Sequence, residues 1–96
     1  MLPPSTASDD SLPELFSGAE WRSLAAHLKL SARQQAIARL TCRGLKRGVI
    51  ARRLGVSENT VRTHVRGLYR RLNVDSRLGL VVRLVLADRV LDGDHR

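Results

Sequence analysis

From Lys46 to Val74 the chain reads KRGVIARRLGVSENTVRTHVRGLYRRLNV, and this stretch constrains the fold more than any other. Ile50, Ala51 and Leu54 form an apolar stripe at helical spacing, and Gly55 ends it, because glycine readily adopts the left-handed conformation that closes a helix. Val56 reads as a buried turn residue, and Ser57 as an N-cap whose hydroxyl accepts an orphan N–H of the next helix. In that second helix Val61, Val65, Leu68 and Leu72 recur on one face of a 3.6-residue period. The opposite face carries Asn59, Thr63, Arg66 and Arg70, with Arg62 beside them. The pattern predicts helices over about 47–54 and 58–72, joined by a tight turn. The second is apolar behind and bears amide, hydroxyl and guanidinium groups in front.

Charge follows the same stretch. Residues 31–74 hold eleven Lys or Arg against Glu58 alone, a net of +10. Residues 1–30 set Arg22 and Lys29 against four acids, a net of −2, and residues 75–96 are neutral, so the whole chain stands at +8. A basic block confined to the helix pair points to a polyanion partner rather than to a charge spread for solubility. Phe16, Trp21 and Tyr69 are the only aromatics, which argues against modules that stack single-stranded bases.

The remaining sequence fits one small domain. Residues 1–16, MLPPSTASDDSLPELF, read as a disordered arm. Ser17-Gly18-Ala19-Glu20 fits a capping box, with Phe16 and Trp21 at the positions of a hydrophobic staple, so an accessory helix is expected over 17–29. Its stripe of Trp21, Leu24, Ala25 and Leu28 must be buried either on the domain itself or on a partner. Ser31 and Gln34 form a second box, opening a helix whose inner face is read as Ile37, Leu40 and Ala36. After Asn73 and Val74, Asp75 or Ser76 caps a last helix over about 77–90. That helix is apolar on more than one side and needs a second surface. The expected class is therefore all-α: a tetrahelical helix-turn-helix bundle over 30–92 with an added N-terminal helix.

The segments LSARQQAIARL and GLKRGVIARRLGVSENTVRTHVRGLYRRLNVDSR resemble the DNA-binding domain of the LuxR/FixJ (GerE-type) bacterial transcription regulators. The likeness runs from about Leu30 to Ala87, and IARRLGVSENTVRTHV is its most specific part. It implies a double-stranded DNA partner, a recognition helix in the major groove, and a homodimer formed through the last helix. Base contacts would fall on Asn59, Arg62, Thr63 and Arg66. Arg62 and Arg66 would offer forks to guanine, Asn59 would pair with adenine, and the Thr63 methyl would pack on thymine. Lys46, Arg47, Ser57, Thr60, Tyr69 and Arg70 are placed for phosphate contacts. Leu78, Val81, Val82 and Val85 are the expected dimer face, the alternative being that the accessory helix covers that side.

Three positions depart from the family pattern. Gln34 stands where glutamate is usual, and Val49 replaces a common glutamate. Gly67 interrupts the recognition helix at a cost of about 1 kcal/mol. Arg52, Arg53 and Arg71 read equally as further phosphate contacts or as plain solvated surface.

Neither catalysis, a cofactor nor a metal is expected. His27, His64 and His95 lie far apart and lack ligand spacing with Cys42, and His64 reads as packing. A single cysteine allows no internal disulfide and suits a reducing cytoplasm, with Cys42 read as a small buried hydrophobe rather than a reactive thiol. No membrane segment is foreseen. Relatives usually carry a receiver or ligand-sensing domain ahead of this module. The 29 residues here are too few for one, so the chain reads either as a stand-alone regulator, controlled by amount or by a partner, or as an excised domain, and the native-looking Pro/Ser arm favours the first. Two other readings stay open: a sigma-region-4-like module docking on RNA polymerase, and an interaction module that captures another regulator.

Overall fold

Capping chemistry sets the helix boundaries. The structure, a computed structural model, describes residues 12–94. It comprises α1 (Gly18–Leu28), α2 (Ala32–Cys42), α3 (Arg47–Leu54), α4 (Glu58–Leu72) and α5 (Arg77–Asp94). Among the described residues there is no strand, and the fold is the expected all-α class. The Ser17 and Ser31 boxes both close: Glu20 N–H donates to Ser17 Oγ at 3.1 Å, and Gln34 N–H donates to Ser31 Oγ at 3.0 Å. Both serines in turn donate their own N–H to the side chain three residues on. Lys29 ends α1 in the left-handed region at φ 57°, and Gly55 ends α3 at φ 68°. Ser76 rather than Asp75 caps α5, accepting the Gly79 N–H at 3.0 Å.

One core joins all five helices. Trp21 and Leu24 of α1, Ile37 and Ala38 of α2, Ile50 and Ala51 of α3, Val61 and Leu68 of α4, and Leu80 and Leu84 of α5 are buried together. Helix α1 packs on α2 and α5, so its stripe is hidden within its own domain. Helix α4 rests on both α2 and α3, which hold its apolar side and leave the other free.

Four local expectations need correction. Residues 12–16 do not form a loose arm but lie along α2. Leu12 N–H donates to the Arg43 carbonyl at 2.8 Å, and Phe16 is buried. The physical reason is that the Arg43 carbonyl at the end of α2 accepts the Leu12 N–H while Phe16 packs edge-on against Trp21. Residues 1–11 of that arm lie outside the described residues. On α2 the inward positions are Ile37, Ala38, Thr41 and Cys42, whereas Ala36 and Leu40 are only half-buried. Val65 is likewise half-buried, although Val61, Leu68 and Leu72 are inside as expected. Lastly, α5 continues to Asp94, one turn past the predicted end, carrying through Gly93.

The two-sided character of α5 divides cleanly. Leu80, Leu84 and Ala87 face the core, with Val81, Val85 and Leu91 half-buried against it. Leu78, Val82, Leu86 and Val90 repeat every fourth residue and are 73%, 47%, 52% and 56% exposed. Of the expected dimer face, then, Leu78 and Val82 are free, while Val81 and Val85 are largely used by the domain. Helix α1 covers a different side of α5, around Asp88, Leu91 and Asp92, and leaves the aliphatic ridge bare.

Candidate nucleic-acid interface

The free face of α4 begins at its cap. Ser57 Oγ accepts the Thr60 N–H at 3.0 Å and lies 2.9 Å from Thr60 Oγ1, so both hydroxyls belong to the first turn. That turn still presents unpaired N–H groups and the positive end of the helix dipole, which favour an anion. Beyond it Asn59, Arg62, Thr63, Arg66 and Arg70 are all exposed, opposite buried Val61, Leu68 and Leu72. Thr63 donates its hydroxyl to the Asn59 carbonyl at 3.1 Å, which leaves its methyl as the uncommitted group.

Helix α3 brings further positive charge alongside. Lys46 is its N-cap and makes no side-chain cap bond, because an ammonium cannot accept one. Lys46 and Arg47 therefore place two cations at the positive end of a helix. That arrangement is unfavourable alone and is relieved when an anion arrives. Gly48 permits a close approach here: a side chain at this position would meet Glu58 Oε2 at 3.3 Å.

A cavity of about 330 Å³ opens beside this face, between α2, α3, α4 and the start of α5. Thr41, Leu45, Ile50, Val61 and Val65 line it inside. Arg47, Arg62, Arg66 and Arg77 surround it with Tyr69, and no carboxylate is among its lining residues. Burial pushes the Tyr69 phenol up from its ordinary pKa, with nearby Arg77 opposing the shift and Cys42 adding to it, so it stays a hydrogen-bond donor at neutral pH. Sequence reasoning missed Arg77, whose Nη2 reaches the Leu45 carbonyl at 3.5 Å. No local signal marks a residue brought in from 32 positions away.

Of the proposed phosphate contacts, Lys46, Arg47, Ser57 and Arg70 are exposed, while Thr60 and Tyr69 are half-buried. Arg71 is exposed and donates from Nε to the Leu28 carbonyl at 3.4 Å, on the α1 side of the domain. Among the described residues no group of three or more His, Cys, Asp or Glu could hold a metal, and no helix is long and apolar enough to cross a membrane.

Comparison with known proteins points to the same region. Residues 28–84 match the family described as bacterial regulatory proteins, luxR family. The two-component response regulator PprB of Pseudomonas aeruginosa is 45% identical over 56 residues, which cover 58% of this chain and 20% of that protein. The match thus spans about a fifth of the curated relative's length. No solved structure matches. A matched segment that begins at the end of α1, takes in α2, α3 and α4, and runs into the core-facing part of α5 leaves one conclusion: the chain belongs to the luxR family of bacterial regulatory proteins.

Proposed function

We propose that this chain is a sequence-specific double-stranded DNA-binding regulator of transcription that lays α4 in the major groove and works as a homodimer. The observation that carries the reading is the division of α4. One side is locked into the core by Val61, Leu68 and Leu72, and the other exposes Asn59, Arg62, Thr63 and Arg66 to solvent. Arg62 and Arg66 are the guanine readers, Asn59 pairs with adenine, and the Thr63 methyl meets thymine. Lys46, Arg47, Ser57, Thr60, Tyr69 and Arg70 hold phosphates on either side.

Pairing uses the ridge of Leu78, Val82, Leu86 and Val90. Four exposed aliphatic side chains in line on one helix favour a second apolar surface, and a two-fold axis supplies one from an identical chain. Two α4 helices so related read half-sites about one helical turn, ~10 bp, apart. The same ridge supports the alternative in which another regulator or RNA polymerase is the partner.

Selection of bound duplexes from a random pool tests the reading. The expected result is a recurrent site with two-fold symmetry, bound with an affinity that falls steeply with salt, at a log–log slope of about −0.9 per phosphate neutralised. A pool that never converges, or binding indifferent to salt, defeats it.

A further inference from the structure

Arg77 opens α5, yet it stands with Arg47, Arg62 and Arg66 around the hollow beside α4. All four arginines are exposed, and among the described residues none is ion-paired with a carboxylate. Like charges gathered without a counter-charge repel one another, and an arriving anion relieves them. The floor of the hollow takes no part: Leu45, Ile50 and Val61 are buried, so an anion meets only the rim.

Arg77 is oriented but hardly engaged. Its Nη2 donates to the Leu45 carbonyl at 3.5 Å, the long limit of a hydrogen bond, which leaves most of its N–H donors uncommitted. Burial raises the phenol pKa of Tyr69 on the same rim, and the Arg77 charge opposes that rise. The two side chains are therefore electrostatic neighbours, a cation beside a neutral hydroxyl, and both are donors suited to an oxyanion. The helices indicate which anion. Arg62 and Arg66 ride on α4 itself, whereas Arg47 and Arg77 come from α3 and α5. A strand whose bases face Arg62 and Arg66 carries its phosphates past the neighbouring side chains, where contacts fix register without reading sequence.

We propose that Arg77 is a further DNA-contacting residue, supplied by α5, which with Arg47 and Tyr69 seats one backbone phosphate of the strand that α4 reads. This deepens, and rests on, the DNA-binding role proposed above. Leu78, the first member of the exposed ridge, follows Arg77 directly, so the seat ties the pairing helix to the duplex as well as to the partner chain.

Arg77→Gln tests the seat in the full 96-residue chain. In anisotropy titrations it should bind duplex about tenfold more weakly, the scale of one charge-assisted hydrogen bond, and by the same factor on every sequence. Its log–log salt slope should shrink by about 0.9, the share of one phosphate. Arg77→Lys keeps the charge and should keep the slope and most of the affinity. Arg22→Gln removes an equal charge from α1 and should leave both nearly unchanged. Urea unfolding of each variant sets a temperature at which all are folded, so that loss of the Leu45 bond does not enter the comparison. A weaker Arg77→Gln with an unaltered slope, or an Arg77→Lys no better than it, makes Arg77 a mere support for Leu45 and overturns the seat. A loss matched by Arg22→Gln, or a preference relaxed at one base pair, overturns it too.

Inorganic pyrophosphate then probes the seat without DNA. Saturable NMR shifts are expected at the Nε–H signals of Arg77 and Arg47 and not of Arg22, and Arg77→Gln should weaken those of Arg47. Shifts spread evenly over the arginines overturn the seat. A wild type that takes pyrophosphate on Arg77 but binds no duplex defeats the regulator reading and leaves the anion seat. Duplex binding indifferent to Arg77→Gln defeats the seat and leaves the regulator.

Discussion

The ring of Phe16 stands edge-on to the indole of Trp21, with centroids 5.2 Å apart and planes at 85°, and this pair fastens the segment ahead of α1 to the domain. Around it Arg39 lies 5.9 Å from the indole centroid and bonds Glu14 at 2.9 Å. One tryptophan thus gathers the entering segment, α1 and α2. Edge-to-face aromatic pairs add about 0.5–1.5 kcal/mol beyond burial. The Arg39–Glu14 pair, 35% and 40% exposed, adds at most a fraction of 1 kcal/mol by the usual measure of surface ion pairs. Of these two contacts the aromatic pair is the stronger, and it acts beside the backbone bond from Leu12 to Arg43.

Trp21→Ala should destabilise the domain by about 3–5 kcal/mol, as expected for deleting a fully buried aromatic. Trp21→Phe keeps much of the volume and removes an indole N–H that has no partner, so it should cost much less. Urea unfolding followed by circular dichroism measures both. Equal losses would mean that the indole nitrogen, not the packing, matters.

Gly67→Ala should stabilise the fold by about 1 kcal/mol, raising Tm by roughly 4–8 °C for a domain of this size. A methyl there meets no atom within 4 Å, so helix propensity acts unopposed. Calorimetry reads the shift. A lowered Tm would show that this glycine has a packing role.

Arg62→Ala and Arg66→Ala should each cost about 1–3 kcal/mol of duplex affinity and relax preference at one base pair. Both side chains are exposed, so the melting temperature should barely move. Arg71→Ala, on the α1 side, should leave affinity nearly unchanged and serves as the internal control. Anisotropy titrations separate the three; uniform losses would assign the effect to bulk charge.

Val82→Lys and Leu86→Glu place charges on the ridge without touching the core. Sedimentation should show a loss of self-association with helicity and Tm of the monomer retained. Dimers surviving both changes would move the contact off α5.

Cys42 gives a pH signature. Burial, reinforced by Glu14 and opposed by Arg77, pushes its thiol up to about 12 from an ordinary value of 9.0. The folded state therefore holds its proton where the unfolded chain releases it. The resulting stability is fully present below pH 9.0 and is lost as pH rises towards about 12. Urea midpoints of the wild type should fall more steeply over that window than those of Cys42→Ala, and thiol reagents should label the protein only as fast as it opens. Parallel midpoints would refute the assignment.

Local chemistry was legible in the sequence, and distant chemistry was not. The boxes at Ser17 and Ser31, the stop at Gly55 and the cap at Ser57 act within a few residues, and each boundary falls where those residues put it. The docking of Leu12 on Arg43 and the reach of Arg77 to Leu45 span about thirty residues and leave no periodic trace. The inner face of α2 was misjudged for a related reason. Alanine, threonine and cysteine at 38, 41 and 42 announce burial weakly, and neighbouring helices rather than hydrophobicity alone choose which side turns in. Of the reading face, the exposure of Asn59, Arg62, Thr63 and Arg66 follows from periodicity, whereas the hollow behind Arg62 and Arg66 is a product of tertiary packing.

The bare line of Leu78, Val82, Leu86 and Val90 has a quantitative corollary. Where chains must meet along it before they can grip DNA, the competent species grows with the square of how much protein is made, while single copies hold on weakly. A modest rise in synthesis then swings promoter occupancy sharply, and gene dosage itself becomes the input to which such a domain responds.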